Sequence, residues 1–153
     1  MKKIICITVS VVMALLLLTA CAGKKTESRT LDFDGEKVKI TVDLSGGGEA
    51  EWSDYNCYLS PGKNDGNTEE AGWCVYMPAG EFNERFAEIT GSYAEEYKNV
   101  QTLDDGSLKC ESASEEYPTA YYYKKISDNT YLQIVSRSVP GDEVFNRIDA
   151  KLA

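Results

Sequence analysis

The earliest regular alternation of apolar and polar residues brackets an Asp-Gly pair. Leu31 and Phe33 precede Asp34-Gly35, and apolar residues then occupy every second position from Val38 to Leu44. Asp-Gly between alternating runs favours a type I′ turn, because both central residues of that turn need positive φ. The pattern predicts a β-hairpin with Leu31 opposite Val38 and one buried face.

Two more strands are predicted on either side of a polar insertion. Residues 51–60 and 72–77 are rich in Trp, Tyr and Val, whereas residues 61–71 are rich in turn formers. The insertion carries enough oxygen ligands to suggest a calcium loop, but its spacing matches no EF-hand. We therefore expect a solvated hairpin loop and no metal site.

The apolar period changes from two to 3.6 after Pro78. The residues that recur at helical spacing are Phe82, Phe86, Ile89, Tyr93 and Tyr97. They predict an amphipathic helix. Gly91-Ser92 in its middle is expected to kink the helix or to split it into two pieces.

The last third of the chain predicts a sheet that is covered on both faces. A turn at Asp104-Asp105-Gly106 precedes a strand over 107–111, and residues 121–126 and 131–135 form a hairpin turning at Asp128-Asn129. Apolar or aromatic residues occupy both faces of these last strands. Residues 142–152 predict a closing helix. The expected fold class is α+β, an antiparallel β-sheet with helices packed on it as an α/β/α sandwich.

The order of segments in this second half is characteristic. The amphipathic helix is followed by Tyr-Pro-Thr-Ala-Tyr-Tyr-Tyr at 117–123, a polar turn, Thr-Tyr-Leu-Gln-Ile-Val at 130–135, and the closing helix. This succession resembles the PsbP/Mog1-like domains found in many small bacterial lipoproteins, over roughly residues 30–152. The resemblance implies an antiparallel sheet with helices on it and a module without enzymatic activity.

The N-terminus has the charge and hydropathy pattern of an export signal. Lys2 and Lys3 precede an almost wholly apolar run from Ile4 to Leu18, which is shorter than the roughly 20 apolar residues that span a bilayer. The run ends in Leu18-Thr19-Ala20-Cys21, which resembles a bacterial lipobox.

In this interpretation residues 1–20 are a signal peptide, and the sulfur of Cys21 carries a diacylglyceryl group. The protein is then lipid-anchored at the extracytoplasmic face of the cell membrane, or attached to the outer membrane in a Gram-negative source. An uncleaved transmembrane anchor and an ordinary secretory peptide cut near Ala22 are the alternatives. Residues 21–29 are polar and predict a flexible tether, and residues 30–153 predict a single domain.

The net charge of the chain limits the classes of partner that are expected to bind it. Removal of residues 1–20 leaves 14 basic and 25 acidic residues, a net charge of −11. Such a surface repels phosphate backbones and anionic headgroups, so no nucleic-acid partner is expected. The chain has no histidine, which weighs against acid/base catalysis and metal binding because His is the residue most used for both. We expect neither catalytic residues nor a metal or other cofactor.

Three cysteines remain beyond the lipobox, at positions 57, 74 and 110. If the strands that flank residues 61–71 pair antiparallel, Cys57 and Cys74 face one another at bridging distance. A disulfide between them and three buried free thiols are both open at this point. A nucleophilic role for Cys110 is disfavoured because no histidine is available as its base.

Aromatic residues provide the remaining candidate contacts. Large rings with a polar edge bind sugars and peptides well, and strand propensity explains the same residues as core. The candidates for ligand contact are Trp52, Trp73, Tyr121, Tyr122 and Tyr123.

Together these features predict a membrane-anchored lipoprotein that acts as a non-catalytic binding or accessory module, with a protein partner in a cell-envelope complex. The alternative is a small cell-envelope hydrolase that uses carboxylates such as Glu115 and Glu116. Such an enzyme would need two carboxyls in a pocket, with raised pKa values.

Overall fold

The computed structural model describes residues 25–45, 47–60, 72–116, 118–137 and 140–153. Within these ranges the chain forms strands β1 (Thr26–Phe33), β2 (Glu36–Asp43), β3 (Ala50–Trp52), β4 (Asn56–Leu59), β5 (Gly72–Pro78), β6 (Tyr97–Thr102), β7 (Leu108–Ser112), β8 (Thr119–Lys125), β9 (Thr130–Arg137) and β10 (Ile148–Leu152). The α-helices are α1 (Ala79–Ala87) and α2 (Gly141–Phe145). A π-helical turn (Glu88–Ser92) and a 3-10 turn (Ala94–Glu96) follow α1.

The described strands form two antiparallel sheets. The small sheet has the order β1-β2-β10, and the large sheet has the order β3-β4-β5-β9-β8-β7-β6. The antiparallel character and the α+β class agree with the sequence analysis. The arrangement is not a plain α/β/α sandwich, because one of the two covering layers is mainly a second sheet.

The first hairpin is confirmed in turn and register. Leu31 lies opposite Val38, and Asp34 and Gly35 have φ values of 53° and 91°. The backbone N–H of Gly35 also donates to Oδ1 of Asp32 at 2.8 Å, which closes the turn. Leu31 and Val38 are both buried, as the alternation predicted.

Two apolar cores lie on opposite faces of the large sheet. The first core is between the two sheets, and its buried members from the large sheet are Cys57, Leu59, Cys74, Leu132 and Ile134. The second core is between the large sheet and α1, and its buried members are Met77, Phe82, Ile89, Leu108, Cys110, Tyr123 and Tyr131. Strand β9 contributes to both cores, which explains why apolar and aromatic residues occupy both of its faces.

The prediction of a closing helix over 142–152 is wrong beyond Phe145. Helix α2 ends at Phe145, and Ile148–Leu152 forms β10, which pairs with β2. Ile148 and Ala150 are buried whereas Asp149 and Lys151 are exposed. This is the period of a strand, and the free edge of β2 supplies the hydrogen-bond partners that the backbone of a strand needs.

The amphipathic helix is shorter than its apolar period predicts. The expected break at Gly91-Ser92 is confirmed, because these residues end the π-helical turn. Tyr97, which was expected on the helix, begins strand β6 and lies opposite Ser112 of β7. The helical spacing of apolar residues therefore extends beyond the helix itself. Tyr97 fits that spacing, but it pairs with β7 at the edge of the large sheet.

The folded domain begins before residue 30. Strand β1 starts at Thr26, which lies opposite Asp43, so Thr26–Arg29 belongs to the domain and not to the tether expected over 21–29. Cys21, the rest of residues 1–24 and the loop over 61–71 lie outside the described residues.

Candidate functional site

A polar groove lies on the large sheet beside edge strand β6. It consists of two adjoining pockets of about 310 and 360 Å³. Helix α2 forms one wall, and β6, β7 and β8 form the floor and the other wall. The charged and amide side chains that line the groove are Lys98, Asn99, Gln101, Lys109, Glu111 and Asp142.

A glycine brings α2 close to the sheet and shapes this groove. A Cβ atom on Gly141 would lie 2.8 Å from Cβ of Ala120 and 2.8 Å from Cε2 of Phe145. These separations are too short for carbon atoms, so a larger residue would push the start of α2 away from β8. Gly141 and Ala120 both line the two pockets.

Lys109 is the most constrained cation of the groove. Its Nζ atom lies 4.9 Å from the ring centroid of Tyr122 and 5.5 Å from that of Phe145. It also lies 3.6 Å from Oδ1 of Asp142. A cation over aromatic rings is attracted by their quadrupoles, at about 0.5–1 kcal/mol where water has access. Lys109 therefore presents a fixed positive charge beside α2.

The opposite wall of the groove is an irregular strand edge. Asn99 has a φ of 54°, and the register of β6 against β7 shifts between Lys98 and Gln101. Asn99 Nδ2 donates to Oε2 of Glu111 at 3.0 Å. Within the described residues, the side chains of Lys98 and Gln101 have no hydrogen-bond or ion-pair partner, so both can contact a ligand.

The described lining of this groove offers amines, amides, carboxylates and the hydroxyl groups of Ser112 and Thr119. Such groups can form hydrogen bonds and ion pairs with a polar ligand. Cys110 borders one of the pockets, but its side chain is buried in the second core. Burial raises the pKa of the Cys110 thiol to about 12, so the thiol stays neutral at physiological pH.

The exposure and the pKa shifts of several described carboxylates bear on the hydrolase alternative. Glu115 and Glu116 are exposed loop residues. The pKa values of Glu36, Asp105 and Asp128 are all lowered, chiefly by hydrogen bonds from Ser127, from Ser107 and from Lys125, respectively.

A general acid needs a raised pKa, so these groups are unsuited to that role. In the described ranges, no group of three or more His, Cys, Asp or Glu residues is placed to hold a metal ion.

The five aromatic candidates do not come together at one site. Trp52 and Tyr122 pack at the margin of the first core. The indole Nε1–H of Trp52 donates to Oε2 of Glu27 at 3.3 Å, and the ring of Tyr122 lies 5.5 Å from that of Phe145. Only Tyr122 is near the groove, where Lys109 covers its ring.

The other three aromatic candidates belong to the opposite face. Tyr123 is 1% exposed, so it is a core residue and not a ligand contact. Val135 of β9 pairs with Trp73 of β5 on one side and with Tyr121 of β8 on the other. The ring of Trp73 is covered by the guanidinium of Arg137 at 4.8 Å.

Sequence reasoning missed the groove because its residues are ordinary surface types. Lys98 falls within the segment that was predicted to be helical, and Asn99 and Gln101 follow it without a motif. Gly141, between Pro140 and the short helix, is the one sequence signal near the groove.

No helix among the described residues has the length and apolar character needed to cross a bilayer. Comparisons of the chain with family models, curated proteins and solved structures found no match.

Proposed function

We propose that the chain is an extracytoplasmic lipoprotein, anchored in the membrane through Cys21, that serves as a non-catalytic binding or accessory module of a cell-envelope complex. The observation that carries this proposal is the sequence Leu18-Thr19-Ala20-Cys21 at the end of the apolar run from Ile4 to Leu18. Two acyl chains, at about 0.8 kcal/mol per buried methylene, anchor a protein stably.

The residue at which the folded domain begins implies that only a short segment connects the domain to Cys21. Strand β1 begins at Thr26, so residues 22–25 separate it from Cys21. At roughly 3.3–3.6 Å per residue, this segment and the bond to Cys21 reach at most about 18 Å. A domain on such a tether stays close to the membrane and meets partners that are also membrane-bound.

Helix α2, which walls the groove, is followed by a segment that contacts the small sheet near the start of β1. Thr26 lies opposite Asp43, and the backbone N–H of Asp43 donates to the carbonyl of Arg147 at 2.8 Å. Arg147 follows α2, the helix that walls the groove. The start of β1 therefore lies close to the segment that follows α2, and a partner anchored in the same membrane is the contact that we propose for the groove.

We include in this proposal the finer assignment to PsbP/Mog1-like domains. The antiparallel large sheet and helix α1 on it agree with what the resemblance implies. The small sheet, which includes β10 in place of the expected closing helix, departs from it. The assignment therefore rests on the order of segments from α1 to β9.

Lipid labelling tests the anchor. Cells that express the full chain are grown with a labelled fatty acid, and the protein is recovered from membrane and soluble fractions. The wild type is expected to carry the label in the membrane fraction, and Cys21→Ala is expected to carry none. Cys6→Ala is the matched control, since it removes a cysteine from the same segment and should keep the label. Label retained by Cys21→Ala would refute the anchor.

Site-specific photo-crosslinking tests the groove. A photoreactive amino acid at Gln101 is expected to capture a discrete membrane partner. The same probe at Thr30, which is exposed on β1 of the small sheet, serves as the control. Lys98→Glu should weaken the Gln101 adduct because it reverses a charge in the groove. Identical adducts from both positions, or none from Gln101, would count against the groove as the contact surface.

A further inference from the structure

Two buried cysteines face each other across neighbouring strands. Cys57 of β4 lies directly opposite Cys74 of β5. Both side chains have 0% exposure and belong to the first core. Both are free thiols in this structure, and the proposed function makes no use of them.

The backbone ladder sets the distance between these two residues. The N–H of Tyr76 donates to the carbonyl of Tyr55 at 3.1 Å, one step beyond the pair Asn56 and Val75. Hydrogen-bonded and non-hydrogen-bonded pairs alternate in an antiparallel ladder, so Cys57 and Cys74 form a hydrogen-bonded pair. Cα atoms in such a pair are about 5.5 Å apart, which is within the usual range for a disulfide.

Cys110 is excluded as a partner for either residue. It lies on β7, and β9 and β8 separate it from β5 in the large sheet. Three strand spacings of about 4.8 Å amount to roughly 14 Å, twice the distance a disulfide can span. Cys110 also belongs to the second core, on the opposite face of the sheet.

We propose that Cys57 and Cys74 form a disulfide that joins β4 to β5, and that Cys110 remains a thiol. The inference rests on the export part of the proposed function, because disulfides persist in oxidising compartments outside the cytoplasm. The oxidant is a disulfide-bearing molecule or protein. The thiolate of one cysteine attacks it and releases one reduced thiol, and the second thiolate then attacks the mixed disulfide and releases the other. The oxidant takes up both electrons and both protons.

Burial determines when this bridge forms. In the folded state both side chains are shielded from an oxidant, and the pKa of the Cys74 thiol is raised well above its usual value by the neighbouring Cys57 thiol and by burial. Thiolate, the reactive form, is therefore scarce after folding. The bridge forms before the small sheet closes over β4 and β5, and afterwards it is shielded from reductants.

Peptide mapping of the full-length protein from intact cells tests the bridge. The protein is unfolded in denaturant, alkylated with and without prior reduction, and digested. Without reduction we expect alkylation at Cys110, loss of alkylation at Cys57 and Cys74, and a cross-linked peptide pair containing both. Cys110→Ala should leave this pair intact. Alkylation of both Cys57 and Cys74 without reduction, or a link that includes Cys110, would overturn the inference.

A refolding experiment separates failure of the bridge from failure of the anchor. The reduced, unfolded chain is refolded with oxidised glutathione, and a second sample receives the same oxidant after folding. We expect the Cys57–Cys74 peptide pair in the first sample and slower formation in the second. If the protein from cells is soluble and carries no lipid label, the proposed anchor is wrong. The proposed disulfide is then tested by this refolding experiment alone. A first sample with both thiols free contradicts the proposed pairing.

Discussion

Replacement of Gly72 by alanine tests how closely β5 packs against β9 and α2. Gly72 is the first residue of β5 and is buried. A Cβ atom there would overlap the backbone oxygen of Val135 and would lie 2.9 Å from Cγ1 of Val144. The nearest of these atoms belongs to the backbone of β9, which is paired on both sides and cannot turn away as a flexible side chain would.

The expected loss follows from two opposing effects. Overpacking of a closed core costs about 1–3 kcal/mol, and the backbone contact puts Gly72→Ala at the upper end of that range. Alanine also reduces the entropy of the unfolded chain, which returns about 0.4–1 kcal/mol. The net free energy of unfolding should fall by about 2 kcal/mol, or roughly 8 °C in Tm for a domain of this size.

Gly80→Ala is the matched control. Gly80 lies in α1, and a Cβ atom there would have no neighbour within 4 Å. Since alanine favours the helix and restricts the unfolded chain, this variant should gain about 0.5 kcal/mol. Urea unfolding followed by far-UV circular dichroism measures both variants without relying on Trp73, which adjoins the substituted Gly72. Equal stabilities for Gly72→Ala and wild type would refute the close packing described here.

Two further predictions concern the second core and the first hairpin. Phe82 is buried and its ring lies 3.8 Å from that of Tyr131, so Phe82→Ala should lower the free energy of unfolding by about 3–5 kcal/mol in urea titrations. A smaller loss than for half-buried Phe86→Ala would contradict this packing. The hydroxyl of Ser127 donates to Oε2 of Glu36 at 2.6 Å and lowers its pKa. The carboxylate therefore stabilises the fold above about pH 4.5, and that contribution is lost as the pH falls through the lowered pKa. Glu36→Gln should flatten the acid side of a plot of urea midpoint against pH, and an unchanged slope would argue against the bond.

Local patterns predicted the elements whose partners are close in sequence. The hairpin at Asp34-Gly35 has the predicted turn and register because both depend on residues within the pair. The hairpin that turns at Asp128-Asn129 is also confirmed, since β8 and β9 pair around it. The opposition of Cys57 and Cys74 was predicted in the same way, from two strands joined by one loop.

Errors arose where a distant strand decided the conformation. The segment over 148–152 carries apolar residues at positions that fit a helical stripe, yet it forms β10 because the edge of β2 is open to it. Tyr97 joins the sheet for the same reason, beside β7. A single sequence cannot show that an edge is open, because that depends on which strands fold next to it.

The candidate groove is harder to predict from the sequence than the fold is. Lys109 and Asp142 approach to 3.6 Å although more than 30 positions separate them along the chain. Nothing in their identities marks them as neighbours. Their proximity depends on Gly141, whose missing side chain allows α2 to lie against Ala120.

The sequence by itself determined the short hairpins, the coarse α+β class, the acidic charge and the basis for predicting an anchor at Cys21. These follow from local propensity, apolar periodicity, composition and a contiguous motif. Only the tertiary structure decided that a second sheet covers the large one, that Tyr123 lies in the core, and that a polar groove opens beside β6. Each of these depends on contacts between segments far apart in the chain, which no local pattern specifies.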